Sequence, residues 1–353
     1  MSTFKIWINS LRKNILLSLM KYIGASSHQN GKPIDRVQIK RVLIIRPNHR
    51  LGNQLMMTPV VQEILETFPN CQIDLFAGKV SPVLFKNYER IDRIITLPRK
   101  PFKELFKYLK TWLNIWSRRY DIAINVTGGS SSGRLATKFA RATYKVYGND
   151  ENTLQLEHVD YYHLAKTPVY NFRYFLSELG IADENKKIPC LDIKLSVAEI
   201  AEGKKILESL IHRIDERTIC LYTFATGAKC YSESWWTEFH EKLKAKYTNF
   251  NIIEILPVEN ISMIKFKAPT FYSKDIREMG AVMTNTAIWI GADCGIMHLA
   301  SASNVPTLGF FSVTNANSYI PYNKNSKALI TTESTMDDIF SEIDKILTIN
   351  SQQ

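Results

Sequence analysis

From residue 41 onward, short apolar runs alternate with longer stretches in which apolar side chains recur at helical spacing. Such an alternation of strand and helix is typical of a parallel sheet with helices on both faces. The first half of the chain contains predicted strands at 41–46, 72–77, 93–97, 121–126 and 144–147, and predicted helices at 54–68, 80–88, 102–118 and 132–141.

The second half of the chain resumes this alternation after a pause. Residues 149–160 are polar and residues 161–179 form one long helical pattern. We therefore predict two Rossmann-like α/β domains in series, joined near 180–215 and facing across a cleft in which ligands bind beyond the carboxyl ends of the strands. The second half contains predicted strands at 218–224, 251–256, 287–290 and 307–311, and predicted helices at 234–247, 275–284, 295–303 and 336–347.

Three divisions of the chain follow from these patterns. We predict an N-terminal helix and linker at 1–36, a first domain at 37–185 and a second domain at 186–353. The segment 4–23 has the pattern of a basic amphipathic helix, which lies either in a membrane interface or on the protein's own surface. Its uncharged stretch, 14–20, is far shorter than the ~20 apolar residues of a spanning helix.

The composition limits the classes of partner and site. The chain has 353 residues and a formal net charge of +11, which favours anionic partners such as phospholipid surfaces, phosphorylated glycans or nucleic acid. Its five cysteines show no C-x-x-C spacing, which disfavours a disulfide framework and a thiolate zinc site and fits a reducing cytoplasm. No H-E-x-x-H motif or EF-hand loop occurs, so we expect no dedicated metal site.

The most distinctive local pattern is Gly-Ala-Asp-Cys-Gly at 291–295, between an apolar strand and a helix. Glycine at 291 and 295 permits close approach of the backbone to a ligand. The first N–H groups of a helix lack intrahelical partners and, together with the helix dipole, favour an anion such as a diphosphate. Two structural alternatives stay open: Asp293 caps the helix, and His298 is a buried core histidine.

Two motifs, in the expected order, resemble one known family. Asp293-Cys-Gly-Ile-Met-His298-Leu-Ala, followed by Val305-Pro-Thr, is similar to the D-[TS]-G-x-x-H-x-A-A...x-P-T motif of glycosyltransferase family 9. That family comprises the heptosyltransferases of lipopolysaccharide core synthesis. Leu43-Ile-Ile-Arg46, Leu51-Gly52 and Thr58-Pro59 resemble its opening pattern, I-I-R-x-x-x-L-G-D-x-x-x-T-P.

The resemblance covers about residues 40–345 and implies both an architecture and a reaction. The architecture is GT-B, with two Rossmann-like domains. The reaction is an inverting transfer, without a metal or other cofactor, of a sugar (heptose in most members) from a nucleoside diphosphate such as ADP. The acceptor is the lipopolysaccharide core or a related lipid-linked glycan, and the implied location is the cytoplasm or the inner face of the cell membrane.

The resemblance also assigns donor-binding roles residue by residue. The turn and helix start at 293–298 hold the donor phosphates, and Lys229 adds positive charge where the leaving diphosphate gains negative charge. Without the resemblance, Lys229 is an ordinary solvated loop lysine. Glu259 falls where an acid reaches the ribose, and Lys274 where the base is contacted. The donor-binding set is Thr226, Lys229, Glu259, Lys274, Asp293, Cys294, Gly295, Ile296, Met297 and His298.

At the position of the family's general base, this chain has a different residue from the family pattern. The family has Asp in L-G-D, whereas this chain has Asn53, whose carboxamide does not accept a proton at neutral pH. Asn53 either orients the acceptor by hydrogen bonding or caps a helix that begins at Gln54. The base is then His49, another acid of the cleft or a phosphate of the acceptor, or else the protein is weakly active or silent. We favour a protein base, with His49 as the candidate, so the catalytic set is Asn53, His49 and Lys229.

We expect an anionic acceptor. Basic side chains dominate 79–119, where only three acids oppose them. Such a run is either a solvated face or a surface that receives a phosphorylated lipid-linked glycan. The loop 127–134 follows a strand and is rich in small hydrogen-bond donors. The predicted acceptor-binding residues are Arg46, Arg50, Ser130 and Arg134.

Three other classes of function compete with this interpretation. The positive charge suggests nucleic-acid binding, but no zinc-finger, RRM or KH signature occurs, so we expect no nucleic-acid partner. A Rossmann-type oxidoreductase needs G-x-G-x-x-G after the first strand, where this chain lacks it. The substitution at Asn53 leaves open a non-catalytic homologue that binds nucleotide sugars.

Overall fold

The computed structural model describes residues 35–98, 104–148, 152–181 and 186–349. The amphipathic pattern at 4–23 therefore lies outside the described residues. The described chain forms two compact units, each built on one parallel sheet. The predicted α/β class, with two Rossmann-like sheets, is confirmed. Unit 1 comprises the chain up to His49, Pro59–Pro82 and Tyr88–Pro189, and unit 2 comprises Arg50–Thr58, Val83–Asn87 and the chain from Cys190.

Unit 1 is built on a five-stranded sheet. Its strands are β1 (Arg41–Ile45), β2 (Gln72–Ala77), β3 (Ile91–Thr96), β4 (Arg119–Asn125) and β5 (Arg141–Val146). Every neighbouring pair is parallel, in the order β3-β2-β1-β4-β5. The connections from β1 and from β4 therefore run in opposite directions across the sheet, which makes the gap between them a topological switch point.

Unit 2 is built on a six-stranded sheet. Its strands are β6 (Thr218–Tyr222), β7 (Asn251–Ile255), β8 (Thr270–Phe271), β9 (Ile288–Ala292), β10 (Thr307–Phe311) and β11 (Lys327–Ile330). The order is β11-β10-β9-β6-β7-β8 and all pairs are parallel. The switch point lies between β6 and β9.

The helices connect the strands and cover the sheets. Within the described residues no helix is long and apolar enough to cross a bilayer. The α-helices are α1 (Leu51–Leu55), α2 (Thr58–Thr67), α3 (Ser81–Leu84), α4 (Leu105–Trp116), α5 (Ser131–Phe139), α6 (Asn152–Glu157), α7 (Thr167–Ser177), α8 (Val197–Leu210), α9 (Glu233–Lys246), α10 (Ile276–Met283), α11 (Gly295–Ala302) and α12 (Met336–Ile349).

Proline accounts for two helices that differ from the sequence prediction. The pattern at 54–68 forms α1 and α2, which are separated at Met56 and Met57 because Pro59 lacks the N–H that a continuous helix would donate to the Leu55 carbonyl oxygen. The pattern at 161–179 forms only α7, whose first turn contains Pro168. Proline lacks the N–H that a longer helix would use at that position, so the preceding residues form turns.

The region 180–215 is more ordered than the sequence pattern indicated. It contains α8, which begins with a capping box between Ser196 and Glu199. The serine accepts a hydrogen bond from the Glu199 N–H at 3.2 Å, and the glutamate accepts one from the Ser196 N–H at 2.8 Å. The short strands β8 and β11 are also absent from the prediction. Two and four residues are too few for a clear alternation of apolar and polar positions.

Aromatic packing holds the sheet of unit 2. On α9, Trp236, Phe239 and Leu243 recur at three- and four-residue spacing and are fully buried. They pack against the inward face of the sheet, where Phe310 lies 6.0 Å from Trp236 and 5.8 Å from Phe239, centroid to centroid. Burial of each such side chain contributes about 2–3 kcal/mol, which fixes the strand ends that carry the loops described next.

Candidate functional site

The two loops predicted to bind a donor meet at the switch point of the unit 2 sheet. Strands β6 and β9 are parallel neighbours, with Tyr222 opposite Gly291. The chain leaves β6 through a loop that ends in a single 3-10 turn, Gly227–Lys229. It leaves β9 directly into Asp293. Because carboxyl ends of parallel strands share one edge, these two loops face the same side of the sheet.

An ion pair joins the two loops. The Lys229 Nζ donates a hydrogen bond to the Asp293 Oδ2. The aspartate side chain is 4% exposed and the lysine side chain 35% exposed. The ammonium also lies 5.8 Å from the centroid of the Tyr319 ring. The sequence did not predict this pairing: a buried carboxylate holds the lysine at the edge of the sheet, and part of the lysine surface is exposed.

The start of α11 lies beside this ion pair. The residue that precedes α11 is Cys294, in extended backbone at φ −153° and ψ 175° and without a side-chain capping bond. The alternative in which Asp293 caps the helix does not agree with the structure, because Asp293 lies one residue earlier and pairs with Lys229. Burial raises the pKa of the Cys294 thiol to about 12. A neutral thiol leaves the positive end of the helix available to an anion.

The other family motif packs onto this helix within unit 2. Helix α1 contacts α11 at Gly52, where a Cβ would lie 2.7 Å from the His298 Cδ2. Only glycine leaves room for the histidine there. At the other end of the contact, the Cβ position of Gly295 lies 3.4 Å from the Leu51 Cβ. The tertiary structure thus joins two motifs that are more than two hundred residues apart.

This packing also places Asn53 and His298. Helix α1 begins at Leu51 with Arg50 before it, so Asn53 is its third residue. The alternative in which Asn53 caps a helix starting at Gln54 therefore does not agree with the structure. His298 is 5% exposed, and its ring centroid lies 6.0 Å from that of Tyr319. The alternative of a buried core histidine agrees with this location. Tyr319, which contacts both Lys229 and His298, was missed because it belongs to no recognisable motif.

Gly291 has a packing role rather than the ligand-approach role expected from the sequence. A Cβ at this position would lie 2.6 Å from the Trp289 ring and 2.7 Å from the Tyr222 carbonyl oxygen. Both contacts are within the sheet. The strand therefore needs glycine here to pass the indole of its own Trp289.

Three of the remaining predicted donor residues lie on the same edge and are exposed. Thr226 precedes the 3-10 turn, Glu259 follows β7 and Lys274 follows β8. Ile296 and Met297 continue the first turn of α11, and Met297 is fully buried. These positions are compatible with the predicted contacts to sugar, ribose and base, which stay predictions.

A buried carboxylate that the sequence analysis missed supports the loop of Glu259. Glu254, on β7, is fully buried and accepts hydrogen bonds from the Thr223 hydroxyl at 2.5 Å and the Ser262 hydroxyl at 2.6 Å. Thr223 also accepts from the Met263 N–H at 3.0 Å. Burial raises the pKa of Glu254. The carboxyl group therefore ties the loop after β7 to the end of β6.

The predicted acceptor residues of unit 1 gather at its own switch point. Arg46 follows β1 and donates from Nη1 to the Thr127 hydroxyl, after β4, at 3.0 Å. Ser130 caps α5 by accepting from the Gly133 N–H at 3.1 Å. Arg134, in the first turn of α5, is 7% exposed, and burial lowers its pKa. The two arginines thus lie at one sheet edge beside a helix N-terminus.

The last two predicted residues lie on the chain segment that crosses between the units. His49 ends the first stretch of unit 1 and is half-buried, and Arg50 begins a stretch of unit 2 and is exposed. In unit 1, Gly78 packs against this segment, since its Cβ would lie 2.1 Å from the Asn48 carbonyl oxygen.

In the described parts of the chain, no group of three or more His, Cys, Asp or Glu side chains is arranged to hold a metal ion.

Comparison with known proteins gives a family match over one segment and one fold. Residues 273–344 match the model of glycosyltransferase family 9 (heptosyltransferase), which confirms the resemblance inferred from the sequence over this segment. This segment contains the turn at Asp293 and all of α11. No curated protein matches the chain.

Among solved structures, three similar folds are informative. A family 9 glycosyl transferase from Veillonella parvula is 15% identical, covers 90% of this chain and 99% of its own, and has a TM-score of 0.72. Heptosyltransferase WaaC of E. coli, with ADP, is 16% identical over 87% and 99% of the two chains, with a TM-score of 0.64. The E. coli ADP-heptose heptosyltransferase II is 13% identical over 88% and 99%, with a TM-score of 0.62.

Proposed function

We propose that this chain, a heptosyltransferase-like glycosyltransferase of family 9 by its residues 273–344, moves a heptose from a nucleoside diphosphate to a lipid-linked glycan. The reaction is an inverting transfer and needs no metal ion. The observation that carries the proposal is the ion pair between Lys229 and Asp293 at the N-terminus of α11. It places a cation and the positive end of a helix dipole at one sheet edge.

These groups suit the chemistry of the donor. In a single displacement, the acceptor oxygen attacks the anomeric carbon from the face opposite the diphosphate. The bond from that carbon to the phosphate oxygen breaks, and the nucleoside diphosphate leaves with an added negative charge. Lys229 and the N-terminus of α11 stabilise this charge without a divalent cation. ADP-heptose is the proposed donor, since the similar E. coli enzymes are described with ADP or named for ADP-heptose.

The proposed acceptor is anionic, with the lipopolysaccharide core as the leading candidate. Arg46 and Arg134 are the side chains proposed to bind its phosphate or carboxylate groups, because both lie at the switch point of the unit 1 sheet. Ser130 and Arg50 complete the proposed set. The proposed location is the cytoplasm, at the inner face of the membrane where a lipid-linked acceptor is reached.

The direct test is release of nucleoside diphosphate by the purified full-length protein. We expect release from ADP-heptose that depends on a lipopolysaccharide-core acceptor, and an unchanged rate when EDTA is present. Loss of activity in EDTA that magnesium restores would contradict the metal-independent mechanism. Donor binding without turnover, with any lipid-glycan extract, would instead favour a non-catalytic nucleotide-sugar-binding protein, the alternative that Asn53 motivates.

His49 is the proposed general base, because the carboxamide of Asn53 cannot take the proton from the attacking hydroxyl of the acceptor glycan. We expect His49→Gln to lower kcat about a hundredfold, the lower end of the range for loss of a general base. Asn53→Ala should mainly raise KM for the acceptor, since a carboxamide orients by hydrogen bonding. The measurement is the steady-state rate of both variants over a range of pH. An unchanged kcat in His49→Gln excludes this residue as the base.

A further inference from the structure

One helix of unit 1 presents an apolar row to solvent. Helix α4 buries Thr111 and Ile115 on its inner side. On its outer side, four large apolar side chains recur at three- and four-residue spacing and are between 52% and 89% exposed. The row is about 15 Å long, at 1.5 Å per helical residue. Its members are Phe106, Leu109, Leu113 and Trp116.

The end of α5 extends this surface. Phe139, the last residue of α5, is 56% exposed. Its ring packs edge-on against Trp112 of α4, with centroids 6.3 Å apart. The row and Phe139 therefore form one patch, which we name the α4 face. Monomeric proteins rarely expose large apolar residues in such a continuous group without a partner.

Basic side chains border the α4 face on both sides. Lys107 and Lys110 lie on one flank, because each directly follows a residue of the row in the sequence of the helix. On the other flank, the Arg141 guanidinium lies 5.0 Å from the Trp116 ring centroid. Lys138, next to Phe139, is exposed. The nearby acid Glu104 is bonded to Lys107 at 3.3 Å.

The lysine flank continues into an open basic groove. Lys107 and Lys110 line it together with Lys79, which follows β2, and its volume is about 680 Å³. The groove opens beside the apolar row, so the lysine ammonium groups lie at the border of that row. Phosphate groups at the border of an apolar surface are the arrangement that a phospholipid bilayer presents.

We propose that the α4 face docks on an anionic lipid bilayer. The apolar row enters the boundary between head groups and acyl chains, Trp116 lies at the level where tryptophan is enriched, and the lysines and Arg141 bind lipid phosphates. A protein partner fits less well, because protein interfaces are depleted in lysine. The inference does not depend on the proposed reaction, and it concerns a surface separate from the predicted helix at 4–23.

Vesicle binding of the full-length protein tests this inference. The starting variant is Trp7→Glu/Leu11→Glu, which removes the predicted contribution of 4–23. We expect it to co-sediment with vesicles of phosphatidylcholine and phosphatidylglycerol, and to do so weakly with phosphatidylcholine alone. Adding Leu109→Glu/Leu113→Glu should lower the partition coefficient at least about tenfold, because two side chains lose their transfer into the interface.

A matched pair of substitutions controls for added charge. Val197→Glu/Ile214→Glu alters two side chains of unit 2 that are 86% and 63% exposed, and it should leave binding unchanged. Lys107→Gln/Lys110→Gln keeps the apolar row and should weaken binding most at low salt. Melting temperatures of all variants show whether each is folded.

Three results would overturn the proposal. The first is failure of the starting variant to bind anionic vesicles. The second is equal binding before and after the substitutions at Leu109 and Leu113. The third is a dimer in light scattering that the same substitutions dissociate, because the α4 face would then be an interface between two copies of the chain.

Discussion

Replacing Lys229 with alanine is expected to lower kcat/KM for sugar transfer by about 10² to 10³, equivalent to about 3–4 kcal/mol of transition-state stabilisation. The ammonium group lies beside the N-terminus of α11, where the leaving diphosphate is proposed to gain charge. Donor affinity should fall as well, because the ground-state diphosphate already carries negative charge.

The effect has a second cause in the environment of Asp293. The carboxylate is 4% exposed and is paired with the Lys229 ammonium. Without the lysine, it becomes an unpaired buried charge that repels the diphosphate. The two causes are separable, because each depends on a different side chain.

A double-mutant cycle separates them. Lys229→Ala/Asp293→Asn removes the repulsion along with the cation. If Lys229 binds the diphosphate directly, the double variant stays well below wild type in donor affinity, measured by calorimetry with ADP-heptose and with ADP. If Lys229 only neutralises Asp293, the double variant recovers wild-type affinity. Lys229→Arg, which retains the charge, should keep most of the binding. If the Lys229→Ala variant itself binds ADP-heptose with wild-type affinity, the donor site lies elsewhere.

Replacing Arg277 with alanine is expected to destabilise the protein by about 3–5 kcal/mol, the cost of removing one partner of a buried ion pair. The Arg277 side chain is 4% exposed and forms a fork on Glu199, with Nε to Oε1 at 2.6 Å and Nη2 to Oε2 at 2.9 Å. It also donates to the carbonyl oxygens of Ile193 at 2.8 Å and Lys194 at 3.1 Å. Alanine removes all of these hydrogen bonds, and among the described residues Glu199 then keeps only neutral donors at hydrogen-bond distance, from Ser196 and Asn87.

Thermal unfolding measures this loss. At about 2–4 °C per kcal/mol for a large domain, the melting temperature should fall by roughly 6 to 20 °C. Arg277→Lys keeps the charge but cannot form the fork, so its melting temperature should lie between those of wild type and Arg277→Ala. Arg277→Met/Glu199→Leu removes both charges and should recover much of the loss. A change below about 1 °C in Arg277→Ala would contradict this account, because it is smaller than the shift expected for 1 kcal/mol.

The same contact predicts a dependence on pH. The hydrogen bonds from Arg277 hold the pKa of Glu199 well below the ordinary glutamate value of 4.5. A carboxyl whose pKa is lower in the folded state contributes stability that is full above its unfolded pKa and is lost as the pH falls towards the folded pKa. The difference in melting temperature between wild type and Arg277→Ala should therefore be constant near neutrality and narrow below about pH 4.5.

The strand pattern was largely predictable from the sequence. The strands at 72–77 and 307–311 have the bounds that their apolar runs predicted, because they are buried at every position except Gln72 and most of their side chains are apolar. The helix in 180–215 was predictable in principle from Ser196 and Glu199, which form a capping box. It was missed because few of its side chains are buried, so its apolar face is weak.

Much of the candidate donor site was also predictable from residue type and spacing. Glycine and aspartate between a strand and a helix predict an anion site from local backbone geometry, and family resemblance adds Lys229 from a separate loop. The exposed row of α4 was visible as aromatic residues interleaved with lysines. Whether such a row faces the core or solvent depends on which side of the helix the sheet covers, and spacing alone does not determine that.

The sequence by itself thus determined the two-sheet class, the order of strands and helices along the chain and the turn at 291–295 that is predicted to bind an anion, because these depend on contacts between near neighbours. The tertiary structure alone decided which distant groups meet. It placed Lys229 on Asp293, His298 beneath Gly52 and Arg277 on Glu199, because each pairing depends on the order of strands and the packing of helices. Those long-range contacts also decided that Gly291 serves packing and that Asp293 serves the lysine rather than the helix cap.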